Sequence, residues 1–268
     1  MRKPYRIARA LFLLALASPL GLAWLPPDRL PLDRLFPGLD PAFQILLQSS
    51  FRQLSITLAA TLVLALAITM VLGYASVLWQ RFGRTGSSIL KAVESVPAIL
   101  VALFFYAPVS GYLARHASEA SQIVSLLVFI LAATLTMLPE SVRGVAIPLG
   151  DLYHRKYSLS FRSYGFTKRR ILGVLLVSQT MRSTLKRIAA GILLKTLVLD
   201  CSFGFIIQLG FGSYGTPAHA SPGALIAANR DALFEGGNPL LFWLPALVLV
   251  AVSTTFLLTL ADPVEAAA

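Results

Sequence analysis

Six long apolar stretches are the feature that most limits the folds open to this chain. They lie at about 7–25, 54–78, 89–106, 122–138, 188–208 and 240–260, and a continuation of the fourth past Pro139 to Pro148 is the alternative. A helix needs about 20 apolar residues to cross a bilayer, and these stretches approach or exceed that length. The chain of 268 residues is only 13% charged, whereas a soluble domain carries about 25%. Transmembrane β-barrels show short alternating segments, which are absent here. The sequence therefore predicts an all-α integral membrane protein with six transmembrane helices.

Basic residues indicate how these spans are oriented. Of the 23 Lys and Arg residues, 17 fall at the N-terminus, in the turn after the second span and in the loop before the fifth. Five lie on the opposite side, and Lys195 falls within a span. Since basic loops remain in the cytoplasm, both termini and this loop are predicted to be cytoplasmic. The net charge of +11 then reflects topology, and nucleic acid is not an expected partner.

The first span allows two interpretations. Ala15-Leu16-Ala17 resembles a signal-peptide cleavage site, but a retained anchor is favoured. Residues 1–50 are accordingly predicted to form an anchor helix and an extracytoplasmic segment, and 51–268 the main transmembrane domain.

Residues that would support catalysis are scarce. Cys201 is the one cysteine, so no disulfide forms within the chain. The three histidines are far apart and lack metal-ligand spacing. No Gly-rich phosphate-binding loop is present. We therefore expect no catalytic residue, no metal site and no cofactor in this chain.

The loop at about 149–187 combines positive charge with apolar groups. Its part from Tyr157 to Arg187 holds seven Lys and Arg residues and no acid. Gly165 interrupts it, and the Thr167 hydroxyl is placed to cap a second helix, which predicts helix, Gly hinge, helix. An exposed apolar cluster rimmed by charge is typical of a protein interface, although a loop lying on anionic lipid has the same pattern. The side chains predicted to be exposed are Leu159, Phe161, Tyr164 and Phe166.

Charged residues inside the spans are candidate functional groups, because such charges are costly in a bilayer. Lys195 and Asp200 are about 140° apart around one helix and are not expected to pair with each other. Each either lines a transport path or pairs with another helix. Glu94 precedes a proline that is expected to kink the third span, and a structural hydrogen bond is its favoured role. Glu140 is expected to pair locally with Arg143.

Several motifs occur in order between about 40 and 263. "YSLSFRSYG" places Tyr157 and Gly165 eight residues apart. The third span contains "ILKAVESVPAILVAL", and "SFGFIIQLGFG" occurs at the end of the fifth. "SPGALIAANRDAL" precedes the last span, and "ADP" lies in the tail. These motifs resemble those of permease subunits of bacterial ABC importers of the dipeptide, oligopeptide and nickel type. The chain departs from the family where Leu159 replaces the loop glutamate and Ser178 the loop proline.

The resemblance implies a multi-pass permease subunit of the bacterial inner membrane. It would import a peptide, nickel or a metal chelate together with a second homologous permease. Two cytoplasmic ATPases would hold ATP and Mg, so this chain would not itself be an enzyme. A periplasmic or lipid-anchored binding protein would deliver the solute. Two alternatives remain open: an ATP-independent secondary transporter or channel, and a structural or assembly membrane protein with a lipid-binding basic loop.

The resemblance also assigns residues to these roles. The coupling loop at 157–178 would contact the ATPase. The residues predicted for this contact are Tyr157, Leu159, Ser160, Phe161, Arg162, Tyr164, Gly165, Phe166, Thr167 and Lys168. Those predicted for the translocation pathway are Glu94, Lys195, Asp200, Ser202 and Phe203. Those predicted to dock the binding protein are Asn229, Arg230 and Asp231.

Overall fold

Helices make up the secondary structure, and no strand occurs among the residues described. The structure, a computed structural model, describes residues 2–26, 39–79, 86, 88–89, 92–115, 119–207, 221–234 and 237–260. Its principal helices are α1 Arg2–Leu22, α2 Pro41–Leu78, α3 Ala98–Arg115, α4 Glu119–His154, α5 Lys156–Ser163, α6 Lys168–Leu176, α7 Gln179–Ile207, α8 Pro222–Ala228 and α9 Leu240–Leu260.

Among the described residues, three segments are long and apolar enough to cross a membrane: Pro41–Leu78, Leu126–His154 and Leu240–Leu260. The prediction of an all-helical membrane protein is confirmed at this level. The last segment coincides with the predicted sixth span. The first begins well before residue 54, because the Asp40 side chain accepts a hydrogen bond from the Ala42 amide at 3.0 Å and Pro41 suits the first helical position.

Prolines act differently in the third and fourth spans. α4 continues through Pro139 and Pro148, so the longer of the two ends predicted for the fourth span is confirmed. The predicted kink in the third span is wrong, because the backbone leaves the helix before Pro97 and α3 starts at Ala98. The Pro97 carbonyl then accepts bonds from the first turn of α3. Residues 107–115, which follow the predicted third span, are also helical.

α7 lies at the centre of the bundle. On one side, Leu197 belongs to an apolar cluster with Leu54 of α2 and Val252 of α9. On the other, Phe203 packs with Phe129 of α4 at a ring-centroid separation of 5.5 Å. α2 and α4 also pack against each other along their length. The side chains of α7 are therefore positioned by four neighbouring helices.

The connection between α4 and α7 is shorter than the predicted loop at 149–187. α4 continues to His154 and α7 begins at Gln179, which leaves residues 155–178. We call this segment, which contains α5 and α6, the two-helix loop. Its inner side is apolar, since Ile171 and Leu172 pack against Leu149 of α4. The predicted arrangement of two helices separated by Gly165 is confirmed.

Candidate functional site: the two-helix loop and the charged face

The corner at Gly165 has a defined backbone geometry. Its φ of +79° lies in the left-handed region, which favours glycine. The Phe166 amide donates to the Phe161 carbonyl at 3.1 Å, and the Gly165 amide donates to the Arg162 carbonyl at 3.0 Å. These two bonds form a Schellman motif. The rings of Phe161 and Phe166 meet edge to face at 5.8 Å. The predicted hinge is therefore a fixed corner that ends α5.

Thr167 takes the predicted capping position at the start of α6. Its backbone is extended, and its carbonyl accepts the first helical bond, from the Ile171 amide at 3.1 Å. The predicted hydroxyl cap is wrong, because the side chain makes no capping hydrogen bond. Thr167 is exposed, so water competes for its hydroxyl and for the free amides of the first turn.

Two cations of the loop point towards the membrane helices. The Arg162 guanidinium donates to the Tyr153 carbonyl and stacks 4.1 Å above the Tyr153 ring. Lys168 Nζ donates to the Leu78 carbonyl at 3.0 Å. Leu78 is the last residue of α2, where free carbonyls attract a positive charge. Both cations were predicted to contact an ATPase. In the structure, each donates a hydrogen bond to a backbone carbonyl of this chain.

Two further hydrogen bonds hold the loop. The buried Ser158 hydroxyl donates to the Leu152 carbonyl near the end of α4 at 2.8 Å. The Tyr74 hydroxyl of α2 donates to the Arg169 carbonyl of α6 at 3.1 Å. α5 is thus bonded to the end of α4, and α6 to the end of α2. Sequence reasoning missed Tyr74 because it is 95 positions from Arg169. It missed Ser158 because that bond crosses the break between α4 and α5.

The outward side of the loop carries an apolar patch. Tyr164 is 80% exposed, and the neighbouring Ser160 is also exposed. Phe166 is only half-buried rather than fully exposed, because the Arg170 guanidinium lies 4.7 Å from its ring centroid. The residues of this outer patch are Tyr157, Phe161 and Tyr164, which recur at helical spacing on one side of α5, whereas Leu159 is exposed on another side of the helix.

Two ion pairs connect α4 to its neighbours. Glu140 pairs with Lys195 of α7, and Arg143 pairs with Glu94, which precedes α3. The predicted local pair between Glu140 and Arg143 is therefore wrong, because each finds a partner on another segment. The four side chains are between 43% and 66% exposed. We call Glu94, Glu140, Arg143 and Lys195 the charged face.

The residues predicted for the translocation pathway fall in two places. Glu94 and Lys195 belong to the charged face. Asp200 is 1% exposed, and neither of its carboxylate oxygens has a hydrogen-bond partner among the described residues. Phe203 is buried in the aromatic cluster with Phe129, and Ser202 is half-buried. Asp200 and Phe203 are therefore enclosed by the bundle, whereas Glu94 and Lys195 lie at its surface.

The residues predicted to dock a binding protein follow α8. Asn229 ends this helix, and its side-chain amide donates to the Leu225 carbonyl at 2.8 Å. Arg230 Nε lies 3.4 Å from Asp231 Oδ1, and both side chains are exposed. Arg230 and Asp231 are thus available at the surface, whereas Asn229 has a structural bond. Residues 208–220, which include the end of "SFGFIIQLGFG", lie outside the described residues.

α8 packs closely against α7 through small residues. A Cβ atom on Gly223 would collide with the Cys201 carbonyl and lie 2.7 Å from the Cys201 Cα. A Cβ on Gly204 would lie 2.5 Å from the Ala224 amide nitrogen. Small residues allow such close helix contacts in membrane proteins. The motif before the last span therefore fixes α8 against the helix that holds Asp200.

Comparisons with known proteins leave the family open. No family model matches the chain, and no curated protein matches it. No group of three His, Cys, Asp or Glu side chains suited to a metal occurs in the described part of the chain. The interpretation of the site therefore depends on the geometry above and on the motifs of the sequence.

Proposed function

We propose that this chain is the permease subunit of an ATP-driven importer in the bacterial inner membrane. α1, α3 and α7 supply three spans in addition to the three apolar segments, and both termini are cytoplasmic. One observation carries the proposal: the two-helix loop has an outward apolar patch and an inner side bonded to the ends of α2 and α4. A push on such a rigid element moves both helices together.

The outer patch is the proposed contact with the ATPase. Aromatic residues are enriched at protein interfaces, and Tyr164 is the most exposed member of the patch. The surrounding positive charge suits a groove that is apolar or acidic. ATP and Mg remain on the ATPase, and binding and hydrolysis there favour one state of the permease over another.

The remaining partners follow from the same proposal. A second homologous permease completes the pathway, and a periplasmic or lipid-anchored binding protein docks at Arg230 and Asp231, whose exposed side chains support this role. The solute is a peptide, nickel or a metal chelate. The binding protein supplies most of the specificity, because most residues in the spans are apolar.

The test is purification of the full chain from its native membranes in mild detergent. We expect an ATPase and a second permease to accompany it, and the complex to hydrolyse ATP. Tyr164→Glu places a charge in the outer patch and is expected to reduce ATPase recovery about tenfold, which corresponds to 1.4 kcal/mol. Gln179→Glu, an exposed change at the start of α7, is the matched control and should leave recovery unchanged.

Other results would support the alternatives. Solute movement in ATP-free proteoliposomes that hold only this chain would indicate a secondary transporter or channel. Binding of the loop to anionic vesicles, together with hydrogen exchange that an ATPase does not slow, would indicate a lipid-binding loop. Either result would contradict the ATP-driven proposal.

A further inference from the structure

The charged face lies in the middle of a membrane-length segment. Glu140 and Arg143 are near the centre of Leu126–His154, which is long enough to cross a bilayer. They are three residues apart and so lie on the same side of α4. Their partners bring Glu94 and Lys195 to the same surface. All four side chains remain partly exposed on the folded chain.

The surface around the charged face is different. On the same helix, Leu131 and Leu135 are exposed towards one end, on a different side from Glu140. On α9, Leu247 and Val250 form an apolar surface suited to lipid. The charges therefore interrupt an otherwise apolar exterior. Intramembrane charges almost always face the interior of a bundle or a water-filled cavity, because lipid does not solvate them.

We propose that the charged face lines a water-filled path through the membrane. This inference deepens the proposed function by adding Glu140 and Arg143 to the pathway. Two acids and two bases give the wall no net charge. Because each charge already has a partner, the wall offers hydrogen-bonding dipoles without holding an ion of either sign strongly. Such a path suits a small zwitterionic or neutral polar solute.

Thiol accessibility tests this path directly. In a Cys201→Ala background, single cysteines replace Lys195 or Ile147, and the full chain is kept in native membrane vesicles of mixed orientation. Ile147→Cys lies one turn from Arg143 and breaks no ion pair, so it serves if Lys195→Cys fails to fold. The matched controls are Leu247→Cys and Val250→Cys on the apolar surface of α9. The probe is a membrane-impermeant sulfonated methanethiosulfonate, which reacts with thiolates in water.

We expect Lys195→Cys and Ile147→Cys to react at least about tenfold faster than the two controls, because a thiol in lipid rarely ionises. Equal, slow rates at all four positions would overturn the inference and would indicate that a dry protein contact covers the charged face. The proposed function is tested separately by ATPase recovery. If an ATPase is recovered with the chain but labelling is slow, only the proposed path is contradicted. If labelling is fast but no ATPase is recovered, only the ATP-driven proposal is contradicted.

Discussion

Ser158 in the two-helix loop and Asp200 in α7 are both buried polar side chains, and they are accommodated differently. In the loop, the Ser158 hydroxyl and the Lys168 ammonium each donate to a carbonyl near the end of a membrane helix. In α7, the Asp200 carboxylate is buried without a partner among the described residues, as is the Thr134 hydroxyl of α4. Directional bonds therefore fix the loop, whereas apolar contacts and close glycine packing hold the interior. This difference suits a rigid lever attached to helices that can shift.

The largest effect is expected where α8 meets α7. Gly223→Leu would place a side chain against the Cys201 backbone, which cannot move away without displacing α7. We expect a loss of about 3 kcal/mol in the free energy of unfolding, measured by thermal unfolding in detergent. Gly150→Ala in α4 is the control, because its Cβ would meet open space. Equal melting temperatures for the two variants would contradict close packing at α8.

Lys168→Met tests how the loop is fastened. It keeps an apolar stem but removes the bond to the Leu78 carbonyl at the end of α2. We expect a loss of about 2 kcal/mol in stability and faster hydrogen exchange in α6. Lys156→Met is the control, since Lys156 is exposed at the start of α5. If α6 exchanged at the wild-type rate, the bond would not be what holds it.

Asp200→Asn tests the interior of α7. It should raise the free energy of unfolding, whereas Lys168→Met should lower it. The Asp200→Asn change removes an ionisable carboxyl that has no partner among the described residues while keeping the side-chain shape. We expect a gain of about 1 kcal/mol in the free energy of unfolding. Glu140→Gln, an exposed acid of the charged face, is the matched change and should not raise stability. A clear loss with Asp200→Asn would show that the carboxylate is paired.

The corner at Gly165 is expected to respond more weakly. Gly165→Ala forces a side chain into a left-handed backbone and should cost about 1 kcal/mol. Gly173→Ala in α6 meets open space and should stabilise the helix slightly. Thermal unfolding of both variants compares the two glycines. A stabilising Gly165→Ala would contradict the Schellman corner.

Thr167→Ala should have the smallest effect. An N-cap hydroxyl typically contributes about 1 kcal/mol, but Thr167 makes no capping hydrogen bond. We therefore expect a loss below about 0.5 kcal/mol in thermal unfolding. Ser221→Ala is the comparison, because the Ser221 hydroxyl does accept from the Ala224 amide, at 3.2 Å. Equal losses would show that Thr167 caps α6 after all.

Local signals made part of the structure predictable. The sixth span was bounded correctly because polar residues flank one apolar run. The corner was predictable because Gly165 interrupts the segment two positions before Thr167, where α6 begins. The hydrogen bond that joins α6 to the end of α2 was not predictable from the sequence, since Lys168 and Leu78 are 90 positions apart. The pairing of Glu140 was missed because Arg143 is close in sequence, whereas Lys195 is 55 positions away.

The bond between Lys168 and the Leu78 carbonyl also bears on the order of assembly. Domains emerge from the ribosome N-terminal end first, so the ends of α2 and α4 exist before α6 is synthesised. The two-helix loop therefore packs against helix ends that have already been synthesised. A truncated chain that stops after α6 should already hold this bond, whereas the contacts of α7 with α8 and α9 must wait for the last part of synthesis.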